Sequence, residues 1–447
     1  MPGLPSQGSV RRESSTSASG IRIEPGIPIC QTDLPLDWYQ EEFKPYAEEY
    51  LALPDRTPET VLPWMDSYVR PVLDEIGSEL VLLAHYYMGG EIVKLVERYG
   101  GMVADSYLLA RQAVLHPEKR LFVESAVHFM AEAIALLASG EQQVWITNPK
   151  SGCTMEMMAK EFMVVPAWEW LHERYGDGIM VVAYMNTSGR IKALAGASGG
   201  AVCTSSNAAA IMTWARAQGR KILFVPDQHL GRNVAAEVGI PPERIHLLPG
   251  GHEGGEIGAD QVDALDRADL ILWGSFCGVH TVFKPEHVAY WRERDYQVIA
   301  HPECTREVVA LADGAGSTRF LWNHVMQELP EGSSVAVGTE GHFVRNLSEQ
   351  ARRRSITVVH LADVPGEAQA GCGCATMSRN DPPHLVALLD LLRSGRAPDL
   401  NRVLAGDVVD EISGHRERLD AVGQARVARD ARKALECMIE VSEAASG

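Results

Sequence analysis

Short runs of apolar residues alternate along most of the chain with segments of helical pattern. The runs are nearly continuous in Val, Ile and Leu, which is typical of parallel strands that are covered on both faces. They occupy 80–87, 119–127, 143–149, 179–186, 199–205, 221–227, 269–275, 297–303, 333–340 and 355–363. Helical patterns lie between or after them, at 90–99, 106–114, 129–138, 207–217, 384–393 and 424–441. Repeated strand–helix units of this kind predict an α/β protein with parallel sheets.

The number of strands favours several small α/β layers over one large sheet. A prior of roughly one domain per ~150 residues gives about three domains for 447 residues. The Ser- and Gly-rich start of the chain, 1–20, predicts a disordered tail. An aromatic and acidic stretch at 36–73 predicts a helical lead-in that packs against the body.

Composition and charge exclude two classes of partner. Lys plus Arg is 41 and Asp plus Glu is 59, so the formal net charge is −18. A broadly basic nucleic-acid binder is excluded, because phosphate neutralisation needs clustered Lys and Arg. No apolar run approaches the ~20 residues that a bilayer requires, and the N-terminus lacks the apolar core of a secretory signal. The sequence therefore predicts a cytoplasmic globular protein without nucleic-acid or membrane partners.

Polar residues that can do chemistry follow six of the apolar runs. They are His85-Tyr86-Tyr87, Tyr184-Met185-Asn186, Thr204 to Asn207, Pro226-Asp227, His301-Pro302-Glu303 and Thr339-Glu340. Taken singly, each ending is ordinary, because polar residues commonly follow strands. In open parallel sheets, ligands bind beyond the carboxyl ends of the strands. Six such endings in one chain therefore predict a single, shared polar cleft.

Cysteines lie in loops where a thiolate could be presented. Cys153, Cys277 and the pair Cys372/Cys374 each follow a predicted strand. The intervals between them carry no local metal-ligand signature, so two interpretations stay open: ligands of a metal or cluster, or buried inert thiols. An even number of cysteines in a long chain without a secretory signal is a poor argument for disulfides. The other cysteines fit the inert class better: Cys30, Cys203, Cys304 and Cys437.

Twelve short segments in chain order carry a family resemblance. They read AHYY, ADSYLLAR, VHFMAE, NPKSGCTM, YMNTSGRIKALA, CTSSNA, VPDQHLG, LWGSFCGVH, HPEC, GST, GTEGH and CATM. Together they resemble the type A quinolinate synthases, the iron–sulfur enzymes of de novo NAD biosynthesis. The resemblance implies an α/β fold of three pseudo-symmetric three-layer αβα domains around a central cluster site.

The same resemblance predicts the domain boundaries. The first domain is placed at 73–152, with the C-terminal helices at 384–447 packing on it. The second is placed at 153–276 and the third at 277–383. Residues 1–72 form an N-terminal extension that is expected to be partly disordered. Stretches near 252–266 and 406–424 resemble insertions, to which the sequence assigns no role.

A cluster and its ligands follow from the resemblance. It implies one [4Fe–4S] cluster per chain, held by Cys153, Cys277 and Cys374, with one iron left open. The third assignment depends on the family's C-x-x-M pattern, which Cys374-Ala-Thr-Met377 reproduces; Cys372 stays an alternative. Soft thiolates suit an iron–sulfur cluster, and an iron without a protein ligand can act as a Lewis acid.

The implied reaction condenses iminoaspartate with dihydroxyacetone phosphate to quinolinate, releasing phosphate and water. The resemblance makes Tyr87, His301 and Glu303 catalytic, with Tyr87 as an aromatic proton donor and Glu303 as a general acid or base. Substrate contacts are expected at His85, Ser106, Tyr184, Met185, Asn186, Ser205, His301, Pro302, Glu303 and Thr318. A transient contact with the enzyme that supplies iminoaspartate is a further expectation.

Two alternative functions share the cluster. One is another [4Fe–4S] hydro-lyase acting on a dicarboxylate, which could dispense with hydroxyls such as Ser106 and Ser205. The other is a non-catalytic, cluster-based sensor of oxygen or iron, which predicts the loss of His301, Glu303 or Tyr87. All of these residues are present in the sequence, and their presence favours the synthase.

Overall fold

The computed structural model describes residues 34–366 and 373–446. The predicted tail at 1–20, Cys30 and the alternative ligand Cys372 lie outside the described residues. In chain order, the strands are β1 (Leu80–His85), β2 (Met102–Ala104), β3 (Leu121–Ser125), β4 (Gln143–Ile146), β5 (Ile179–Tyr184), β6 (Ala201–Cys203), β7 (Lys221–Val225), β8 (Ile245–Leu248), β9 (Leu270–Trp273), β10 (Gln297–Ala300), β11 (Gly314–Ala315), β12 (Ser334–Gly338), β13 (Thr357–His360), β14 (Arg402–Val403), β15 (Val408–Val409) and β16 (Arg416–Glu417).

The α-helices are α1 (Lys44–Leu51), α2 (Pro58–Ile76), α3 (Gly90–Arg98), α4 (Ser106–Ala110), α5 (Gln112–Leu115), α6 (His128–Leu137), α7 (Thr154–Met157), α8 (Glu161–Tyr175), α9 (Gly189–Ala197), α10 (Ala208–Ala217), α11 (Gln228–Glu237), α12 (Val262–Arg267), α13 (Pro285–Arg292), α14 (Arg306–Leu311), α15 (Thr318–Asn323), α16 (Gly341–Ala351), α17 (Pro382–Arg393) and α18 (Ala421–Ser446). A π-helical turn, His324–Glu328, continues α15. Short 3₁₀ segments lie at Leu36–Trp38, Pro54–Arg56, Gly176–Gly178, Pro242–Arg244, Gly251–Gly255, Ala259–Gln261, Arg352–Arg354, Met377–Arg379 and Asp399–Asn401.

Parallel strands build the body of the protein. One sheet has the order β14-β4-β3-β1-β2, a second β6-β5-β7-β9-β8 and a third β11-β10-β12-β13. Their neighbouring strands are parallel, except that β14 pairs antiparallel with β4 at an edge, and β15 with β16 forms a separate antiparallel pair. The predicted α/β architecture of several parallel sheets flanked by helices is confirmed. The pseudo-symmetry of three domains stays a prediction.

All of the apolar runs predicted as strands contain a strand in the structure. Where a polar tail was predicted, the strand ends at the first residue of that tail or directly before it. Strand β5 shows why the pattern is informative: all of its residues are buried, as a strand covered on both faces requires. The strands that the pattern missed are β2, β8, β11, β14, β15 and β16. They have two to four residues each, which is too short for an apolar run to stand out.

The two C-terminal helices pack on different parts of the body. Helix α17 lies against α1 and α2, whereas α18 lies mainly along α9 and β6 of the second sheet and touches α6 of the first. Helix α18 thus contacts both of these sheets, and the expectation that 384–447 packs on the first domain stays a prediction. A Cβ on Gly196 of α9 would lie 1.7 Å from the carbonyl oxygen of Asp430, so the absent side chain permits this close contact. Helical periodicity predicts an apolar face but does not say which surface covers it.

Among the described residues, no helix is long and apolar enough to cross a bilayer.

A glutamate without a partner lies inside β3. Glu124 exposes none of its surface, and neither of its carboxylate oxygens accepts a hydrogen bond from a described residue. Burial raises the pKa of Glu124 from 4.5 to about 8, because desolvation disfavours the charged form. The folded chain therefore keeps a proton that the unfolded chain loses above pH 4.5, and the free energy of unfolding falls as the pH rises from there to about 8.

We expect Glu124→Gln to remove this pH dependence, since the amide has the same shape and no proton to lose. The stability gained over the wild type should be small at pH 5 and should grow toward pH 8 by at most about 1.4 kcal/mol per pH unit. Thermal unfolding at both pH values measures the gain, with the exposed Glu436→Gln as the control. An equal shift of the melting temperature at both pH values would contradict the prediction.

Candidate active site

A cavity of about 360 Å³ lies where the carboxyl ends of strands from the three sheets come together. Residues that follow β1, β5 and β10 contribute to its wall, as do the starts of helices α4 and α15. The predicted residues that line it are His85, Tyr87, Ser106, Cys153, Tyr184, Met185, Asn186, Ser205, Cys277, His301, Glu303, Thr318 and Cys374. Of the predicted catalytic, substrate-binding and ligand residues, Pro302 is the one that does not line it; of the six polar strand ends, Pro226-Asp227 and Thr339-Glu340 do not line it either. The structure thus brings the predicted residues to one place, while their roles stay predictions.

Three thiols from three separate loops share this wall. Cys153 directly precedes α7, Cys277 follows β9, and Cys374 comes after β13. Burial raises the pKa of all three thiols, and for Cys277 the charges of Glu303 and of the other two cysteines add to the effect. Because thiolates are the ligating form, a soft metal bound here would have to displace three protons. Two of the other cysteines, Cys203 and Cys304, are fully buried elsewhere in the core.

The donor set fits a soft metal centre. Three cysteines from different loops line the same cavity. One of these cysteines, Cys277, also belongs to a second group: its sulfur, a ring nitrogen of His280 and a carboxylate oxygen of Glu303 lie within 4.8 Å of one another. Sulfur donors select iron–sulfur clusters and other soft metals over hard cations.

His280 is a central residue of the site that sequence reasoning missed. Its ring stacks on that of His301 with centroids 4.5 Å apart. Its Nδ1 lies 2.8 Å from Oε2 of Glu303, and its Nε2 lies 3.1 Å from Oγ1 of Thr339. The available signal was its position three residues after Cys277 in LWGSFCGVH. Thr204 and Ser206, from a strand end predicted to lie in the cleft, line the cavity, and further lining residues outside the prediction include Asp105, Tyr107 and His360.

Hydrogen bonds and one close contact between His280 and Glu303 connect two tyrosines across the cavity. The hydroxyl of Tyr87 lies 3.0 Å from Oγ1 of Thr339, which in turn contacts His280. His280 is paired with Glu303, and the hydroxyl of Tyr184 donates to the other oxygen of Glu303 at 2.5 Å. Burial raises the pKa of both tyrosines well above its usual value, and the charge of Glu303 adds to this. Both phenols therefore hold their protons at neutral pH.

Burial also sets the charge state of the histidines. It lowers the pKa of His85 and His301 to about 3, so both rings are neutral at pH 7. The Nδ1 of His85 accepts the N–H of Tyr87 at 3.2 Å, and the Nδ1 of His301 accepts the N–H of Glu303 at 3.3 Å. The proton of each neutral ring is then on Nε2. Burial opposes the ionisation of Glu303, but neighbouring His280 lowers its pKa and keeps it an anion.

The remaining wall is mainly apolar, and most of the polar groups in it are neutral donors. Ser106 and Thr318 open helices α4 and α15, and Ser205 lies in the turn after β6. Asn186 places its amide nitrogen 3.9 Å from the sulfur of Cys153. Among the described residues that line the cavity, none is Lys or Arg. An anionic ligand would therefore be held by hydroxyl, amide and imidazole groups.

Most of this chain is similar in sequence to known proteins. A sequence model of a family described as quinolinate synthetase A protein matches residues 70–404. A quinolinate synthase of Corynebacterium glutamicum is 37% identical over 380 residues, covering 84% of this chain and 87% of that protein. For the quinolinate synthase of Acidobacterium capsulatum, the identity is 37% over 369 residues, covering 81% and 92%. For that of Streptomyces coelicolor it is 36% over 373 residues, covering 83% and 91%.

Proposed function

This chain belongs to the quinolinate synthetase A family, and we propose that it condenses iminoaspartate with dihydroxyacetone phosphate to give quinolinate, phosphate and two waters. It is an enzyme with quinolinate synthase activity and takes part in NAD biosynthesis. One observation carries the detailed proposal: a single buried cavity holds three cysteines together with Tyr87, His301 and Glu303. The three predicted domain ranges, 73–152, 153–276 and 277–383, are part of the proposal, and the separate sheets support them.

The proposed cofactor is one [4Fe–4S] cluster per chain, held by Cys153, Cys277 and Cys374. When bound, the cluster supplies a Lewis-acidic iron that no cysteine ligates. The place of the three thiols on one wall supports this ligand set. Cys374 also begins the C-x-x-M pattern, whereas Cys372 lies outside the described residues.

Substrate recognition in this proposal depends on neutral hydrogen-bond donors. Ser106, Ser205 and Thr318 supply hydroxyls for the phosphate and carboxylate oxygens of the two substrates. The neutral rings of His85 and His301 add N–H donors. Uncharged donors can bind the phosphate group of the substrate without forming an ion pair that would oppose its release. This suits a reaction that releases phosphate and water.

Proton transfer is assigned to the chain of groups around Glu303. The carboxylate accepts a proton from the carbon or nitrogen that loses one, and His280 beside it stabilises the charged form before the transfer. Tyr87, on the other side of Thr339, donates a proton to the oxygen that leaves as water. Acid and base groups placed in this way typically contribute about 10²–10⁴-fold to a rate.

A dicarboxylate hydro-lyase or a cluster-based sensor fits the site less well. A hydro-lyase has no phosphate to bind, yet Ser106, Ser205 and Thr318 all line the cavity. A sensor has no use for the buried pair of Glu303 and His280. The cytoplasmic location and the transient contact with an enzyme that supplies iminoaspartate stay predictions from the sequence.

The direct test is an anaerobic assay with the reconstituted protein. Iminoaspartate generated in place from oxaloacetate and ammonia is mixed with dihydroxyacetone phosphate, and quinolinate and phosphate are measured. We expect one quinolinate and one phosphate for each dihydroxyacetone phosphate consumed. Loaded protein that makes no quinolinate would refute the proposal. Conversion of malate to fumarate without the phosphate substrate would favour the hydro-lyase.

A further inference from the structure

Two buried carboxylates lie behind the loops that carry Cys277 and Cys374. Asp227 follows β7 and begins α11, and Glu340 follows β12 and begins α16. Both side chains expose none of their surface. Strand β7 is the neighbour of β9, after which Cys277 comes, and β12 is the neighbour of β13, after which Cys374 comes. The same relation between a strand-end carboxylate and a cysteine loop therefore occurs in two different sheets.

Asp227 divides its two oxygens between a helix and a cysteine. Oδ1 accepts the backbone N–H groups of His229 and Leu230, at 2.6 and 2.9 Å, and so caps α11. Oδ2 accepts the backbone N–H of Cys277 at 2.9 Å. A helix cap needs only one acceptor oxygen. The hydrogen bond between Oδ2 and the backbone N–H of Cys277 is therefore not required for capping.

Glu340 repeats this division in the third sheet. Oε2 accepts the N–H of Phe343 at 2.9 Å and caps α16. Oε1 accepts the N–H of Cys374 at 2.9 Å and also lies 2.8 Å from Nδ1 of His342. The two cysteine loops are thus held from behind by the same type of contact.

The first sheet shows that a carboxylate is not needed to begin a helix at this place. There, Val127 begins α6 without a side-chain cap. The loop of Cys153 is held instead by Ser151, whose hydroxyl accepts from Asn380 at 2.9 Å and donates to the carbonyl of Thr376 at 2.7 Å. Helix capping alone therefore does not explain the acids at the other two loops.

We propose that Asp227 and Glu340 are positioning residues for the metal centre, which hold the backbones of Cys277 and Cys374 so that both thiolates enter the cavity in the ligating position. This inference rests on the proposed cluster and deepens it. A carboxylate beside a thiolate repels it, so charge alone would disfavour these acids. What they contribute is a fixed loop: groups that orient metal ligands commonly account for about 10–100-fold in metal affinity.

The isosteric variants Asp227→Asn and Glu340→Gln test the proposal. Each amide keeps one oxygen for the helix cap but turns an NH₂ group toward the cysteine N–H, where an acceptor is required. We expect both variants to fold, and to lose iron to an anaerobic chelator such as bathophenanthroline about 10–100-fold faster than the wild type. The EPR spectrum of the reduced cluster should change with the ligand geometry. Asp227→Ser, which retains a good capping residue, should also lose iron faster.

Asp381→Asn is the matched control. Asp381 is a buried carboxylate that begins α17 and accepts the N–H of His384 at 3.0 Å; its side chain hydrogen-bonds Tyr39 and His384 rather than a cysteine N–H. This variant should leave the rate of iron loss unchanged, even where it lowers the melting temperature. Iron loss as fast as in Asp227→Asn would overturn the proposal. So would wild-type iron loss in both isosteric variants while Cys277→Ala abolishes the cluster, and that outcome would leave the proposed function standing.

Discussion

Cys153→Ala, Cys277→Ala and Cys374→Ala are each expected to abolish the iron–sulfur absorbance near ~400 nm and quinolinate formation together. The reason is geometric, since each thiol comes from a different loop and the cavity wall offers no other described cysteine to replace it. The wild type should bind about four irons per chain after anaerobic reconstitution. Iron and sulfide analysis, absorbance and the quinolinate assay measure the three losses on the same samples.

Cys437→Ala is the control for this series. Cys437 is half-buried on α18 and does not line the cavity. It should keep full iron content and full activity. A cluster that survives in Cys153→Ala or Cys277→Ala would refute the ligand assignment. A cluster that survives only in Cys374→Ala would move the third ligand to Cys372.

Glu303→Gln is expected to lower kcat by about 10²–10⁴-fold, the usual contribution of a general acid or base, while the cluster stays in place. The amide keeps the shape of the side chain but cannot take up a proton. It also loses the ion pair between Glu303 and His280. Steady-state kinetics, expressed per loaded cluster, separate this loss from any change in iron content.

Glu328→Gln is the matched control for Glu303. Glu328 also pairs with a histidine, His324, at 2.9 Å, but neither residue lines the cavity. Its replacement should change kcat by less than about 2-fold, because it lies outside the cavity and substitutions away from a functional feature usually have small effects. Near-wild-type turnover in Glu303→Gln would remove Glu303 from the proposed mechanism. A fall in iron content that accounts for all the lost activity would have the same consequence.

The strands of the body could be predicted because a strand that is buried on both faces has a continuous run of apolar residues. Strand β5 is apolar along its whole length, and so it is recognisable without knowledge of its neighbours. Short edge strands such as β8 and β11 bury fewer residues and have no continuous apolar run that would identify them. The same limit applies to α18, whose apolar face was visible but whose partner, α9, was not.

The predicted site residues were found through their local motifs. Cys374, for example, was preferred over Cys372 because of the C-x-x-M pattern that follows it. His280 shows the limit of prediction from local motifs. It lies in a recognised motif, but its role depends on Glu303 and Thr339, which come from other parts of the chain. No pattern in consecutive residues records that contact.

Residue order was therefore enough to predict the α/β class and the family, and to propose residues that carry the chemistry, since each of these is recorded within short segments of the sequence. The resemblance implied that three cysteine loops meet, but the cavity at which they meet and its lining could be read only from the folded chain. So could the pairing of His280 with Glu303, and the way Asp227 and Glu340 hold the cysteine loops. These contacts join residues far apart along the chain, and their distances are set by how the sheets pack against one another.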